Sequence, residues 1–338
     1  MNKITSFLLL VFLSASCTSS NSNSDDNKIL LAPAKLGSQY GYIDKTGETV
    51  IEPQFDEAWD FQEGLARIRL DDKWGFIDKN GNRIIKPQFD YAQGFHEGLA
   101  AIKLGGKWGY IDKTGKIAIN PQFDWAGWGK GDFQEGLAVI KLGGKFGYVD
   151  KTGEMAIDPQ FEDAWDFQEG LAVIKLDGKY GYIDKTGKIV INPQFDFTWG
   201  FQEGLASIQL GNKCGYIDKT GKIAINPQFE EAWQFQEGLA NIKLDGKWGY
   251  IDKTGKIAIN PQFEEAWGFK EGLGNIKLGG KWGYIDKTGK IVIEPQFDFV
   301  EGFQEGLAPI QLGGKCGYID KNGKMAINPQ FESAGVFN

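Results

Sequence analysis

Histidine is nearly missing from this 338-residue chain, which has one, and cysteine and methionine occur three times each. A Ser-His or Cys-His nucleophile system needs a base held beside its nucleophile, and the isolated His96 is poor material for one. No His/Cys cluster has zinc spacing, so neither a metal site nor a cofactor is expected. Lysine and arginine number 37 against 45 acidic residues, a formal charge of −8. An acidic chain with its lysines and carboxylates interspersed has no basic stripe for nucleic acid or for an anionic membrane face. The one strongly apolar run, Ile4 to Leu13, is too short to cross a bilayer as a helix. No window carries a helical period.

That short run reads instead as part of a leader. Lys3 gives a positive start and Ser14-Ala15-Ser16 the small residues of a cleavage site, so residues 1–16 are expected to be a signal peptide. The following L-S-A-S-C resembles the lipobox of bacterial lipoproteins, which implies a lipid on Cys17; an ordinary secretory signal is the alternative. Residues 18–28 hold no apolar side chain and are expected to form, within 17–30, a solvated tether. Thr18 beside the cysteine resembles the outer-membrane sorting pattern. The expected location is therefore the bacterial cell envelope, lipid-anchored at the outer membrane, with no other membrane contact.

Glycine is what the chain has in excess: 47 residues, about double the usual share. Most of them mark a sentence written nine times, G-K-W-G-Y-I-D-K-T-G-K-I-x-I-N-P-Q-F, then a variable stretch, then F-Q-E-G-L-A-x-I-K-L. The glycine of the W-G step recurs at Gly41, Gly75, Gly109, Gly147, Gly181, Gly215, Gly249, Gly283 and Gly317, every 34 residues apart from one 38-residue interval. Self-similarity at this period means one supersecondary unit stacked on copies of itself.

One copy shows the unit. Leu99–Leu104 alternates as a strand, Gly105-Gly106 is a primed hairpin turn, and Lys107–Asp112 is a second strand. Gly109 between two aromatics signals close approach by a neighbouring ring or backbone. Asp112-Lys113-Thr114-Gly115 is a turn, and Lys116 to Asn120 a third strand that Pro121 is expected to end. Asp71-Asp72 fills a turn slot in which the other copies carry Gly or Asn, and is expected to be strained. The segment from Pro121 to Gly136 reads as a connection with room for a short fourth strand. The expected fold is all-β, nine three-stranded antiparallel units of about 34 residues over 31–338.

K-W-G-Y-I-D-K-T-G-K with P-Q-F and F-x-E-G-L-A resembles the WG-repeat, or KWG-repeat, family of bacterial proteins, over nearly all of the chain from Leu31 onward. The tryptophan departs from that pattern at Tyr40, Phe146, Tyr180, Cys214 and Cys316. Cys214 and Cys316, three whole repeats apart, are too distant for a disulfide and read as small buried substitutes for a ring. The resemblance implies a binding or scaffold module and no common reaction.

The stretch from Leu31 to Asn338 holds a whole number of units, and its first strand lacks the E-G lead-in while Phe337 ends the chain at the matching point. Such an offset suits a closed, propeller-like toroid that leaves no sheet edge exposed; an open β-superhelix is the alternative.

The carboxylates Glu63, Glu97, Glu135, Glu169, Glu203, Glu237, Glu271 and Glu305 recur in every linking phrase and read as structural, since an enzyme needs one site. His96 replaces the Gln of that phrase and reads as a tolerated surface residue. The linking segments differ between copies and hold seven of the eleven tryptophans. Trp59, Trp125, Trp128, Trp165, Trp199, Trp233 and Trp267, with Lys130 in the single insertion, are the candidate ligand-binding residues; packing between units is the competing reading. The chain is expected to be a monomeric, non-enzymatic envelope scaffold for a protein or glycan partner. A propeller-type glycan hydrolase or lyase would need non-repeated polar residues converging in one place, of which the sequence shows almost none. A spacer without a ligand is the remaining alternative.

Overall fold

The computed structural model describes residues 30–127 and 131–338, so Cys17, Trp128 and Lys130 lie outside the described residues. Among those described there is no helix, and nine small antiparallel sheets follow one another around a ring. The fold is a nine-bladed β-propeller. Blade 2 shows the plan: Glu57–Ala58 lies innermost, followed outward by Ala66–Leu70, Lys73–Ile77 and Arg83–Phe89.

Blade 1 joins the two ends of the chain. Its first strand, Ala32–Leu36, pairs on one side with Gln39–Ile43 and on the other with Ser333–Ala334, in the register Ala34↔Ala334 and Lys35↔Ser333. Leu31 N–H and Asn338 N–H donate to each other's carbonyls at 3.3 and 3.2 Å. The offset start of the sequence has this consequence: the last segment supplies the inner strand that the first unit lacks. The open superhelix is excluded.

The blades are four-stranded where the sequence suggested three. The extra strand lies in the linking phrase and belongs to the following blade; among the described residues blade 4 keeps only isolated bridges there, Trp125↔Lys141 and Gln134↔Leu137. It continues past its two-residue core, with Trp59 N–H donating to Arg67 O and Gln62 bridging Leu65. In blade 8 the whole span Glu265–Lys270 is a strand with a register shift between Ala266 and Phe269. That bulge breaks the two-residue alternation by which a strand is recognised in sequence.

The third strand runs Ile117–Phe123, through Pro121 rather than ending before it. As the outermost strand of its blade it needs no donor on its free side, so proline is tolerated there. Gly109 is required because a Cβ would lie 2.5 Å from Ile119 O and 2.6 Å from Pro121 N, where the two strands shift register. The close neighbour is backbone, not a ring.

Propeller blades bury both faces, so the apolar residues fall into nine clusters, one at each junction. Between blades 2 and 3, Trp74, Phe76 and Phe89 of one face meet Ala100, Ile102 and Ile111 of the next. Between blades 9 and 1, Tyr318, Ile327 and Phe331 meet Ala32, Ala34 and Ile43. Cys214 and Cys316 take the tryptophan place but are half-buried rather than buried, as are Tyr40, Phe146 and Tyr180 at the same place.

The repeated glutamates clamp blade to blade. Each is the first residue of an E-G turn in the left-handed region; Glu63 has φ 50° and Gly64 φ 89°. A side chain in that region costs on the order of 1 kcal/mol, and cross-blade bonds offset it. The Glu63 carboxylate accepts from Gly98 N–H at 3.0 Å and pairs with Lys113 at 3.1 Å, both in blade 3. The same pairing recurs around the ring, as in Lys219–Glu169 at 3.0 Å and Lys253–Glu203 at 2.9 Å. At the closure the chain has no such glutamate, and Lys79 donates instead to Asn338 O at 2.8 Å. The strained Asp71-Asp72 turn is present as expected, with φ 50° and 60°.

Candidate functional site

The linking segments do not form loops on an outer face; they line the inside of the ring. Inner strands are tied to the preceding blade by a tyrosine hydroxyl that donates to the carbonyl at one fixed position, except in blade 3, where the preceding blade carries Phe76: Tyr42 to Trp59 O at 2.9 Å, Tyr148 to Trp165 O at 2.8 Å, Tyr216 to Trp233 O at 2.7 Å, Tyr250 to Trp267 O at 2.7 Å. Trp199 is held in the same way by Tyr182. Five candidate tryptophans thus occupy equivalent places in blades 2, 5, 6, 7 and 8.

Their rings pack and remain open at once. Trp165 meets Trp199 edge-on at 5.2 Å, Trp199 stacks on Trp233 at 5.6 Å and 21°, and Trp267 lies 4.5 Å from the core Trp282. Trp59 is nonetheless 48 % exposed and Trp233 44 %. By contrast Trp108, the aromatic of the repeated W-G step, is 4 % exposed. Trp125 does not belong to the row. It occupies the place of Tyr91 in the neighbouring blade and packs edge-on against Phe146 at 5.8 Å. Trp128 and Lys130 fall in the undescribed insertion.

In the other four blades the tryptophan position holds Gln93, Gly131, Glu301 and Gly335, in two adjacent pairs. Non-repeated polar residues gather at both breaks, which the sequence reading missed. At the first, Arg67 donates from Nη1 to Ala92 O and to Gln93 Oε1, both at 2.9 Å, with its guanidinium 4.2 Å from the Trp59 ring. His96 is not a free surface residue: its Nε2 lies 3.5 Å from Oδ2 of Asp132, which is 5 % exposed. Burial pushes the Asp132 carboxyl above the usual range, against the pull of His96 and Arg67. Gly131 N–H donates to Asp166 at 2.8 Å.

The second break joins residues that only ring closure brings together. Asp60 accepts from Val336 N–H at 3.1 Å. Burial, then the Glu301 charge, pushes the Asp60 carboxyl up to about 7, with Arg67 and Lys270 pulling the other way. Burial also raises Glu301 and lowers Lys270, whose ammonium donates to Gln304 Oε1 at 2.6 Å. Asn275, 1 % exposed, sits in the blade behind Glu301. One sequence signal for this break existed: Glu301 replaces a tryptophan and Lys270 a glutamine in consecutive linking phrases.

In the D-K-T-G turns one oxygen of the aspartate is taken up by the turn itself. Asp112 Oδ1 accepts from Thr114 N–H, the Thr114 hydroxyl and Lys116 N–H at 2.9, 2.6 and 3.1 Å. The Thr114 hydroxyl bond leads in holding this carboxyl below its usual range. Among the described residues no three His, Cys, Asp or Glu side chains are placed to hold a metal ion.

The family model described as WG containing repeat matches residues 40–74, 74–108, 108–146, 146–180, 180–214, 215–248, 248–282, 282–316 and 317–338. The chain belongs to this family. The WG-repeat ring resembles the crystal structure of a eukaryotic initiation factor, with a TM-score of 0.66 at 10 % identity over 91 % of this chain and 98 % of that one. A dihydro-heme d1 dehydrogenase, NirN, in complex with DHE reaches 0.49 at 11 % identity over 94 % and 77 %. Hsv2p of Kluyveromyces lactis reaches 0.43 at 9 % identity over 82 % and 97 %. At these identities the likeness concerns the fold alone. No curated protein matches the WG-repeat chain.

Proposed function

We propose that this WG-repeat propeller is a non-enzymatic scaffold, held at a bacterial envelope by a lipid on Cys17, that binds a protein or glycan through the inner wall of its ring. One observation carries the reading: a row of tryptophans at a single inner-strand position, with Trp59 and Trp233 close to half exposed although neighbouring aromatic positions are covered. Large rings fixed by backbone bonds and open on one face lose little entropy on contact, which suits them to stacking on sugars or anchoring a partner. The repeated carboxylates, by contrast, are engaged in clamps and turns. A pull-down from envelope extract and a glycan array, each with wild type, Trp59→Ala and Trp233→Ala, test this. Capture that falls in both variants at unchanged melting temperature supports the wall; capture indifferent to both sinks it. A chain that captures nothing in either assay is a spacer.

A glycan-active hydrolase or lyase is the second reading, favoured by one feature. Asp60 retains its proton to about 7 beside a second carboxyl, Glu301, and a protonated acid paired with a second carboxyl group is what glycoside hydrolysis uses. Release of reducing ends from a bound glycan by wild type, abolished in Asp60→Asn, would establish it; an intact glycan leaves the scaffold.

A further inference from the structure

The row of tryptophans is interrupted between Trp267 of blade 8 and Trp59 of blade 2, and three departures from the repeat coincide there with one orphaned amide. Glu301 replaces an indole. Gly335 has no side chain, and a Cβ at that position would strike the Asp60 carboxylate, so the glycine leaves its place to Asp60. Lys270 stands where Gln236 and Gln304 stand in adjacent blades, and it braces Gln304. The orphaned amide is that of Asn275. The polar side chains at the equivalent position in the two preceding blades bond to the carbonyl 25 residues on: Ser207 to Ala232 O at 2.8 Å and Asn241 to Ala266 O at 2.9 Å. The same offset directs Asn275 to Val300, next to Glu301, yet neither of its amide atoms has a protein partner. Leaving such a group buried and unpaired is costly, and Ser207 and Asn241 avoid that cost.

The chemistry of the gap selects its occupant. Asp60 and Glu301 face Lys270 and Arg67, so the gap carries no net negative charge with which to recruit a metal cation. Carboxylates beside an amide that both donates and accepts match hydroxyl groups, which do both. Tryptophans flank the gap on either side, Trp59 close to half exposed and Trp267 partly buried against Trp282.

We infer that this gap is a saccharide subsite in which hydroxyls of a neutral glycan donate to Asp60 and Glu301 and meet the Asn275 amide, while Trp267 and Trp59 stack on the flanking sugars. The inference rests on the inner wall being the binding surface and names its ligand class. Hydroxyl donors at Asp60 and Glu301 replace the water that burial removes from the two carboxylates.

Titration calorimetry of the detergent-solubilised full chain against soluble neutral gluco-, manno-, xylo- and N-acetylglucosamine oligosaccharides tests it. At least one series binds, and Glu301→Gln and Asn275→Ala each weaken it about tenfold while the exposed outer-strand variant Glu52→Gln does not. Glu301→Gln keeps shape and volume, so its melting temperature stays near wild type. Binding that survives Glu301→Gln and Asn275→Ala but is lost in Trp199→Ala overturns the subsite and leaves the wall reading standing. Capture of an envelope protein with no oligosaccharide bound overturns the glycan. If neither sugar nor protein binds, the wall falls with the subsite.

Discussion

Phe337, the penultimate residue, should matter to stability as much as a phenylalanine in the middle of the chain. It is 1 % exposed, with its ring 4.8 Å from Tyr318. Its equivalent Phe235 is 0 % exposed and 5.0 Å from Tyr216. In an open superhelix the end of the chain would fray, and truncating Phe337 would be nearly silent. In a closed ring both positions sit in complete blade junctions, and each Phe→Ala change costs ~3–5 kcal/mol. Unfolding entropy of ~2.1 cal/mol/K per residue gives a chain of this length a shift of roughly 1.5 °C per kcal/mol, so each variant should melt about 5–8 °C lower. The assay is scanning calorimetry of wild type, Phe235→Ala and Phe337→Ala side by side. Similar losses are expected. A full loss for Phe235→Ala with Phe337→Ala within a degree of wild type would refute the closure.

Gly249→Ala should cost roughly 3 kcal/mol by overpacking, because its Cβ would lie 2.6 Å from Ile259 O and Pro261 N; thermal melts near wild type would refute the bulge argument. Replacing Glu237 by Gln removes the ion pair to Lys287 at 3.0 Å yet keeps an acceptor for Gly272 N–H, so the loss should be below ~1 kcal/mol and shrink in high salt; a salt-independent loss counts against the clamp. Asp60 has its folded value raised to about 7 by burial and then Glu301, so ionising it costs the folded state, and its contribution falls as pH rises from about 4 through 7. Asp60→Asn should therefore gain stability relative to wild type between pH 5 and pH 8, by roughly 1–2 kcal/mol after screening at a partly solvated site; a pH-independent difference contradicts this. Labelling with a palmitate analogue should mark wild type and miss Cys17→Ala, and equal labelling would end the lipoprotein reading.

The architecture was legible because a repeat averages out noise. Nine copies of one phrase made the turns and the strands Leu99–Leu104 and Lys107–Asp112 visible, and the offset between the first and last phrases encoded the closure. The linking segment had room for a short fourth strand, but its bulge destroys the alternation that would have marked one. Pro121 misled for a related reason. Its effect depends on whether the strand has a neighbour on that side, and an outermost strand has none.

The site was legible only in half. The tryptophans stood out as the variable aromatics of the linking phrases, but nothing within a phrase says which side of the ring it faces. In a propeller the connection between units is the inner strand, so variation lands on the wall of the ring. His96 shows the second difficulty. A histidine in one of eight such phrases looked tolerated, and its meaning lay in Asp132, itself one of the non-repeated residues, a whole blade away. Asp60 and Glu301 are further apart still, on opposite sides of the closure, so no local window holds both. Repetition explains what every blade needs, and those residues prove to be occupied with one another. What remains for a ligand is where adjacent blades break the pattern together, and adjacency across the ends of the chain exists only once the ring is closed.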